Sequence, residues 1–333
     1  MKLFTKTATA VLLLFLTPLA KATDFTPFQI PGTNGVTRYS EPVFSPKKEE
    51  GQVLNPTVIP TGGRLAMIYR CGWKNSRLSL AFSDDGQNFT RYDSNPVLAP
   101  GGDFDQSACE DPRLVKFGDL YYLTYVGFAP GMSQCLAMSK DLIHWDKQGQ
   151  VLKPEGWNSG GVKAAVIVPE KINGKYIMYF LGQKIAWNTQ LGMAVSDDLL
   201  HWSQPFDHPI MEPRPNHFDS QGVEPGPTPI VLPEGILLIY NGWNLGHTHK
   251  TGWVLFSKDD PSKILKRCEE PFIMPTFPYE MHQPASEFNV TFTEGCAFYK
   301  GLWRFYYGAR DLTIGLAEMK EITGLFSTKT TDH

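Results

Sequence analysis

The sequence predicts an all-β chain folded as a five-bladed β-propeller, its last blade closed by an N-terminal strand. Three observations predict it. A phrase built on Ser and Asp recurs at Ser83, Ser139, Ser196 and Ser257, at intervals of 56, 57 and 61 residues, and a sustained period of this size marks a repeat architecture. Each interval holds about four short runs rich in Val, Ile, Tyr and Phe, bounded by Gly, Asp, Asn or Pro, which is the strand signature. No amphipathic helical pattern competes with them.

Taken in order, the second repeat offers CEDPRLVKF and DLYYLTYVGF, the third VKAAVIVPE and KYIMYFLG, and the fourth PTPIVLPE and GILLIYNGW. A third strand then opens each phrase (QCLAMS, LGMAVS, GWVLFS). A polar turn, an aromatic (Phe89, Trp145 or Trp202) and a fourth, outer strand follow. About four antiparallel strands per repeat is the size of a propeller blade. At the C-terminus, EGCAFYKG, LWRFYYGARD and IGLAEMKEITGLF supply three strands and stop. TRYSEPVFSP (Thr37 to Pro46) resembles the fourth-strand segment from Thr90 to Pro100 and is expected to complete that last blade. Closure of this kind removes exposed sheet edges. The phrase itself is read as scaffold, with Asp capping turns and Trp wedged between blades.

Residues 1–22 have a basic start, an apolar run and small residues before Thr23, so they are expected to be a cleavable signal peptide. Residues 23–333 then form one catalytic domain, secreted or periplasmic, with no membrane span. Removing 1–22 takes away three lysines and no acid, so the net charge moves from −3 to −6. That balance argues against nucleic acid as a partner. The five cysteines (Cys71, Cys109, Cys135, Cys268, Cys296) show no metal spacing and read mostly as strand interior, so buried free thiols are expected.

Propeller chemistry sits where the innermost strands converge. Those strands begin near LNPTVIP, CEDPRLV, GVKAAVIV, VEPGPTPIV and NVTFTEGCAF, and their leading residues are unusually polar: Asn55, Glu110, Asp111, Arg113, Lys163, Glu224, Glu287, Asn289 and Glu294. Burying such groups together is costly unless they pair or bind something. Trp73, Trp157, Trp187 and Trp243 lie near these strands. Aromatic faces stack on the C–H faces of a pyranose while acids and amides bind its hydroxyls, so a sugar ligand is expected. Each Trp taken singly reads rather as a wedge between blades, and it is their concentration beside the acids that favours a sugar site. His247 and His249 in NLGHTHKTG form only a weak metal signal in what reads as an exposed hairpin loop. No metal and no cofactor is expected.

The chain resembles glycoside hydrolase family 130, five-bladed propellers that act on β-mannosides. The resemblance rests on YRCGW (Tyr69 to Trp73), CEDPRL (Cys109 to Leu114), KAAVIVPEKINGKY (Lys163 to Tyr176), LLIYNGW (Leu237 to Trp243), DDPSKIL, PYE, NVTF and FYYGARD (Phe305 to Asp311). It implies a β-mannoside oligosaccharide or mannan-derived glycan as substrate. Many members are inverting phosphorylases. By resemblance, Asp111 matches their proton donor, Arg70, Arg113 and Asp311 match sugar- or phosphate-contacting positions, and Lys163 matches a phosphate-site lysine. Asn241 and Trp243 are further candidate substrate contacts.

The chain departs from the phosphorylase pattern. It has Asn241 where those enzymes carry a phosphate-contacting His. Phe180-Leu181-Gly182 stands where they carry an Arg, and Ala164 where they carry an acid. Each lost charge-assisted bond to phosphate removes roughly 1.5–3 kcal/mol. Glu224 and Glu287 are gained where small or apolar residues are usual. A carboxylate in place of a phosphate site repels the anion and can deprotonate a water, so the expected activity is inverting hydrolysis, with a β-1,2 linkage as the expected target. Glu224 or Glu287 is the candidate base, and the other of the pair, or Asp111, the proton donor. Glu294 and Glu280 are weaker candidates. A phosphorylase and a non-catalytic glycan-binding propeller are the alternatives.

Overall fold

The computed structural model describes residues 27–29, 35–129, 131–282 and 289–326. The expected signal peptide and Glu287 lie outside the described residues. The described chain is all-β, with three short 3-10 turns and no α-helix. No helix among these residues is long and apolar enough to cross a membrane.

The strands run β1 (Pro27–Gln29) and β2 (Thr37–Tyr39), then β3 (Val53–Thr61), β4 (Arg64–Cys71), β5 (Arg77–Ser83) and β6 (Thr90–Arg91). Next come β7 (Ala108–Phe117), β8 (Leu120–Phe128), β9 (Met132–Ser139) and β10 (Asp146–Leu152), followed by β11 (Gly161–Ile167), β12 (Tyr176–Gln183) and β13 (Thr189–Ser196). The chain continues through β14 (Gly222–Pro225), β15 (Ile230–Leu232), β16 (Gly235–Trp243), β17 (His249–Phe256) and β18 (Ile264–Arg267). It ends with β19 (Thr291–Tyr299), β20 (Leu302–Ala309) and β21 (Thr313–Met319).

Within each group, neighbours in sequence pair antiparallel. Two four-stranded sheets, β3-β4-β5-β6 and β7-β8-β9-β10, are simple meanders. The third and fourth groups share one sheet because Thr189 of β13 pairs parallel with Gly222 of β14. Two details depart from the expected four strands. The outer strand of the third group is reduced to bridges at Val195–Ser203 and Leu191–Met211, and the inner strand of the fourth is split into β14 and β15. The N-terminal segment lies where expected: Thr37 and Arg38 pair with Glu318 and Ala317, so β2 extends the C-terminal sheet.

Second strands such as β4 and β16 are buried along almost their whole length. Both of their faces are covered, so they read as unbroken apolar runs rather than alternating ones. Separate cores lie between successive sheets. Ile68 and Leu80 of the first meet Leu123 and Ala137 of the second, and Val115 of the second meets Ile167 and Phe180 of the third. Met67 and Tyr69 of the first meet Tyr306 and Leu316 of the last.

The Ser-Asp phrase forms the same turn in its first three copies. Ser139 and Ser196 accept the amides of Leu142 and Leu199, Asp141 and Asp198 accept the amides two and three residues on, and Trp145 and Trp202 donate back to Leu142 and Leu199. Gly86 takes the Leu142 position in the first copy with φ +83°, which glycine adopts without steric cost. All five cysteines are free thiols.

Candidate active site

The inner strands share a local device that re-aims their side chains. β3, β7 and β11 each break register once, between Leu54 and Thr57, Glu110 and Arg113, and Lys163 and Val166. The residue inside each break is left-handed: Asn55 (φ +47°), Asp111 (φ +48°) and Ala164 (φ +53°). A bulge bends its strand and turns a side chain out of the ladder. Non-glycine residues at positive φ persist where surrounding structure holds them, and they concentrate at functional sites. Asp311 (φ +52°), at the end of the β20–β21 turn, is held the same way.

These residues open onto a cavity of about 560 Å³ lined by Asn55, Arg70, Asp111, Lys163, Glu224 and Asp311, with Trp243 and His249 in its wall. Lys163 Nζ lies 3.1 Å from Glu224 Oε2 and 3.4 Å from Asp111 Oδ2. Arg70 pairs with Glu110 at 2.6 Å and stands 3.8 Å from Asp111. Beneath them, Arg113 meets Glu294 at 2.7 Å and Glu224 at 3.9 Å, both of its neighbours almost wholly buried.

This arrangement pulls the carboxyl groups apart. Burial opposes ionisation of Asp111, but Lys163, Arg70 and Arg113 outweigh it and hold Asp111 below the ordinary range. At Glu224 burial wins: with Asp111 repelling, it raises the pKa despite Lys163 and Arg113. Burial also raises Glu110 and Asp311, and pushes Glu294 up to about 8. Carboxyls whose surroundings drive their pKa values in opposite directions are candidates for distinct proton-transfer roles.

The expected site residues separate into groups. Asn55, Arg70, Asp111, Lys163, Glu224, Trp243 and Asp311 converge on the cavity. Two expected substrate contacts do not line it. Asn241 is fully buried and gives its amide to the backbone of Thr293, as donor at 2.9 Å and acceptor at 2.8 Å. Arg113 is spent on Glu294 below the floor. Glu280 lies elsewhere, paired with Arg38 and Tyr307. His249 is not in an exposed loop: it is buried on β17, 5.1 Å from the Trp243 ring, and burial lowers its pKa to about 4. Trp157 stacks on Phe180 rather than facing the cavity.

The indole Nε1 of Trp243 has no hydrogen-bond partner among the described residues, although the residue is 2% exposed. A buried donor left open beside a cavity is placed to meet a ligand hydroxyl. At the mouth, Trp73 and Trp187 are 58% and 61% exposed, on the β4–β5 and β12–β13 hairpins. Trp73 is backed by the Arg70 guanidinium at 5.2 Å and Trp187 by the His247 ring at 5.5 Å. Two exposed aromatics flanking carboxylates and an open indole make a pocket for a polyhydroxylated ring.

The chain belongs to glycoside hydrolase family 130. The family model, described as beta-1,4-mannooligosaccharide phosphorylase, matches residues 20–327. A 1,2-beta-oligomannan phosphorylase from Thermoanaerobacter sp. is 36% identical over 85% of this chain and 96% of its own length. A solved structure described as "The GH130 family of mannoside phosphorylases contains glycoside hydrolases that target beta-1,2 mannosidic linkages in Candida mannan" is 28% identical, covers 90% of this chain and 95% of that one, and superposes with a TM-score of 0.73. Beta-1,2-mannobiose phosphorylase from Listeria innocua, bound to beta-1,2-mannobiose, has the same fold at 24% identity and TM-score 0.77, over 87% and 98% of the two chains.

Proposed function

We propose that this protein is an exported β-mannosidase that hydrolyses β-1,2-linked mannosides with inversion. In this reading residues 1–22 are its signal peptide, and the five successive sheet groups are the blades of one propeller around the cavity. The charge balance at the cavity carries the reading. Four carboxyl groups that line it (Glu110, Asp111, Glu224, Asp311) face two cations (Arg70, Lys163), and each cation already has a carboxylate within 3.4 Å. A phosphate dianion needs several uncommitted charge-assisted donors. Here it meets an excess of acids instead.

Inverting hydrolysis requires a protonated and an ionised carboxyl on opposite sides of the anomeric carbon. Glu224, raised by burial, is the proton donor to the glycosidic oxygen. Glu287, the partner expected from the sequence, takes a proton from the attacking water. The water oxygen bonds to the anomeric carbon as the glycosidic bond breaks, and β-mannoside becomes α-mannose. Asp111 stays ionised. It accepts sugar hydroxyls and offsets the positive charge that develops on the ring.

The test is Glu224→Gln assayed on a disaccharide and on an aryl mannoside with a good leaving group. Loss of a proton donor spares the activated substrate. Rescue by azide instead would reassign Glu224 as the base, and near-normal turnover of the disaccharide would remove it from the chemistry. The second reading is a phosphorylase, favoured by the activity named for the Thermoanaerobacter relative and by Lys163, whose side chain keeps 30% exposure. Phosphate dependence of turnover separates the two.

A further inference from the structure

Four of the five sheet groups contain the same trio of an acid, a Tyr and a cation, buried or half-buried, and none of its members touches the cavity. In the fourth group, Asp219 is fully buried and its Oδ2 accepts from Tyr240 Oη at 2.6 Å and Arg267 Nη2 at 2.6 Å. In the first, Glu50 accepts from Tyr69 at 2.8 Å and Arg91 at 2.7 Å. In the second, Asp105 accepts from Tyr125 at 2.9 Å and pairs with Lys147 at 2.5 Å. In the last, Glu280 accepts from Tyr307 at 2.8 Å and pairs with Arg38. The parts come from equivalent places: an acid ahead of the inner strand, a Tyr on the second strand and a cation on the fourth strand counted from the inner one. Glu50, Asp105 and Asp219 each stand three residues before their inner strands, which begin at Val53, Ala108 and Gly222.

The third group keeps the geometry and removes the charge. Asn158 holds the acid's place three residues before Gly161, Phe180 replaces Tyr, and Gln204 replaces the cation. Asn158 Nδ2 donates to Gln204 Oε1 at 2.7 Å. The acid and the cation have both become neutral and the hydroxyl has gone with them, as expected if the three act as one unit, because a lone buried charge is costly. The glycine two residues after the ring residue belongs to the same device. A Cβ at Gly242 would lie 2.5 Å from Asp219 Cβ, and one at Gly182 would lie 2.8 Å from Asn158 Cβ.

We propose that these trios are positioning clamps, and that Asp219 with Tyr240 and Arg267 sets the geometry of Glu224. Asp219 anchors the chain as it enters β14, five residues before Glu224. Tyr240 precedes Asn241, which pairs with Glu224 in register and ties β16 to Thr293 beside Glu294. Fixing Asp219 to Tyr240 and Arg267 therefore fixes both ends of the β14–β16 ladder that presents Glu224 to Lys163. The clamp acts through Glu224 and touches no substrate, so displacement of about 1 Å is its mode of effect, and misplacement on that scale costs on the order of 10²-fold in rate.

The inference rests on the cavity being the mannoside site, and Glu224→Gln tests that separately. β-1,2-mannobiose consumption is measured with phosphate present, so hydrolysis and phosphorolysis both register. Asp219→Asn is expected to lower kcat 10- to 100-fold with KM within threefold, and to shift the alkaline limb of the pH profile that Glu224 sets. If that variant fails to fold, Tyr240→Phe, which deletes one hydroxyl, is expected to lower kcat about tenfold. Arg214 also pairs with Asp219, at 3.0 Å, so the variant that copies the neutral set of the third group is Asp219→Asn/Tyr240→Phe/Arg267→Gln/Arg214→Gln, and it is expected to recover at least tenfold over Asp219→Asn. A folded Asp219→Asn enzyme with normal kcat and an unmoved pH profile would overturn the proposal, and so would a quadruple variant no better than the single one.

Discussion

Lys163 Nζ stands 3.1 Å from Glu224 Oε2 and ties that carboxyl to Asp111, which it meets at 3.4 Å on its other side. One ammonium thus serves two carboxyls of opposite tendency, Asp111 held low and Glu224 raised. Removing Lys163 takes away a cation that favours ionised Glu224, so its pKa rises further. Lys163→Met is expected to move the alkaline limb of the kcat/KM profile to higher pH by about one unit while lowering kcat. The full profile of the variant against the parent checks both.

Arg113 and Glu294 form a buried pair that spans two sheet groups. Breaking such a pair from one side leaves an uncompensated buried charge and costs about 3–5 kcal/mol. Arg113→Met should therefore lower the melting temperature strongly, and Arg113→Met/Glu294→Leu should recover most of that loss. Thermal unfolding of the two single variants and the double closes the cycle.

His249 has a pKa near 4 in the folded chain, below its ordinary value of 6.5, because it is buried. Its neutral form stabilises the fold above pH 6.5. That contribution is lost as pH falls from 6.5 toward 4, where only the unfolded chain binds the proton readily. The melting temperature should fall across that window, and His249→Gln should flatten the fall. Melting curves between pH 4 and 7 decide it.

Trp187 offers an exposed face at the mouth, beyond the acids. Trp187→Ala should raise KM for longer β-mannosides severalfold, a loss of about 1 kcal/mol, and leave kcat unchanged. A matched series of disaccharide to tetrasaccharide reads the effect directly.

Much of the frame was legible because the Ser-Asp turn recurs locally, and counting back from its four copies located the strands that begin at Val53, Ala108, Gly161 and Gly222. The polar residues that lead those strands marked the cavity, since Asn55, Asp111, Lys163 and Glu224 differ from repeat to repeat. What the sequence hid was mostly pairing across distance. Arg113 reads as a site cation until Glu294, from another sheet group, is seen to occupy it. Asn241 reads as a substrate contact until Thr293 claims its amide. The clamps also leave a trace: an acid or amide three residues before β3, β7, β11 and β14, followed on the second strand by Tyr-x-Gly in YVG and YNG and by Phe-x-Gly in FLG. The shared bulge also left a trace in Asn55-Pro56 and Asp111-Pro112, where proline follows the left-handed residue.

The most direct test of the account is a proton NMR time course on β-1,2-mannobiose, run with and without phosphate. The account predicts α-mannose as the first new anomeric signal in both samples, at the same rate. Mannose 1-phosphate as the main product, formed only when phosphate is present, would contradict it.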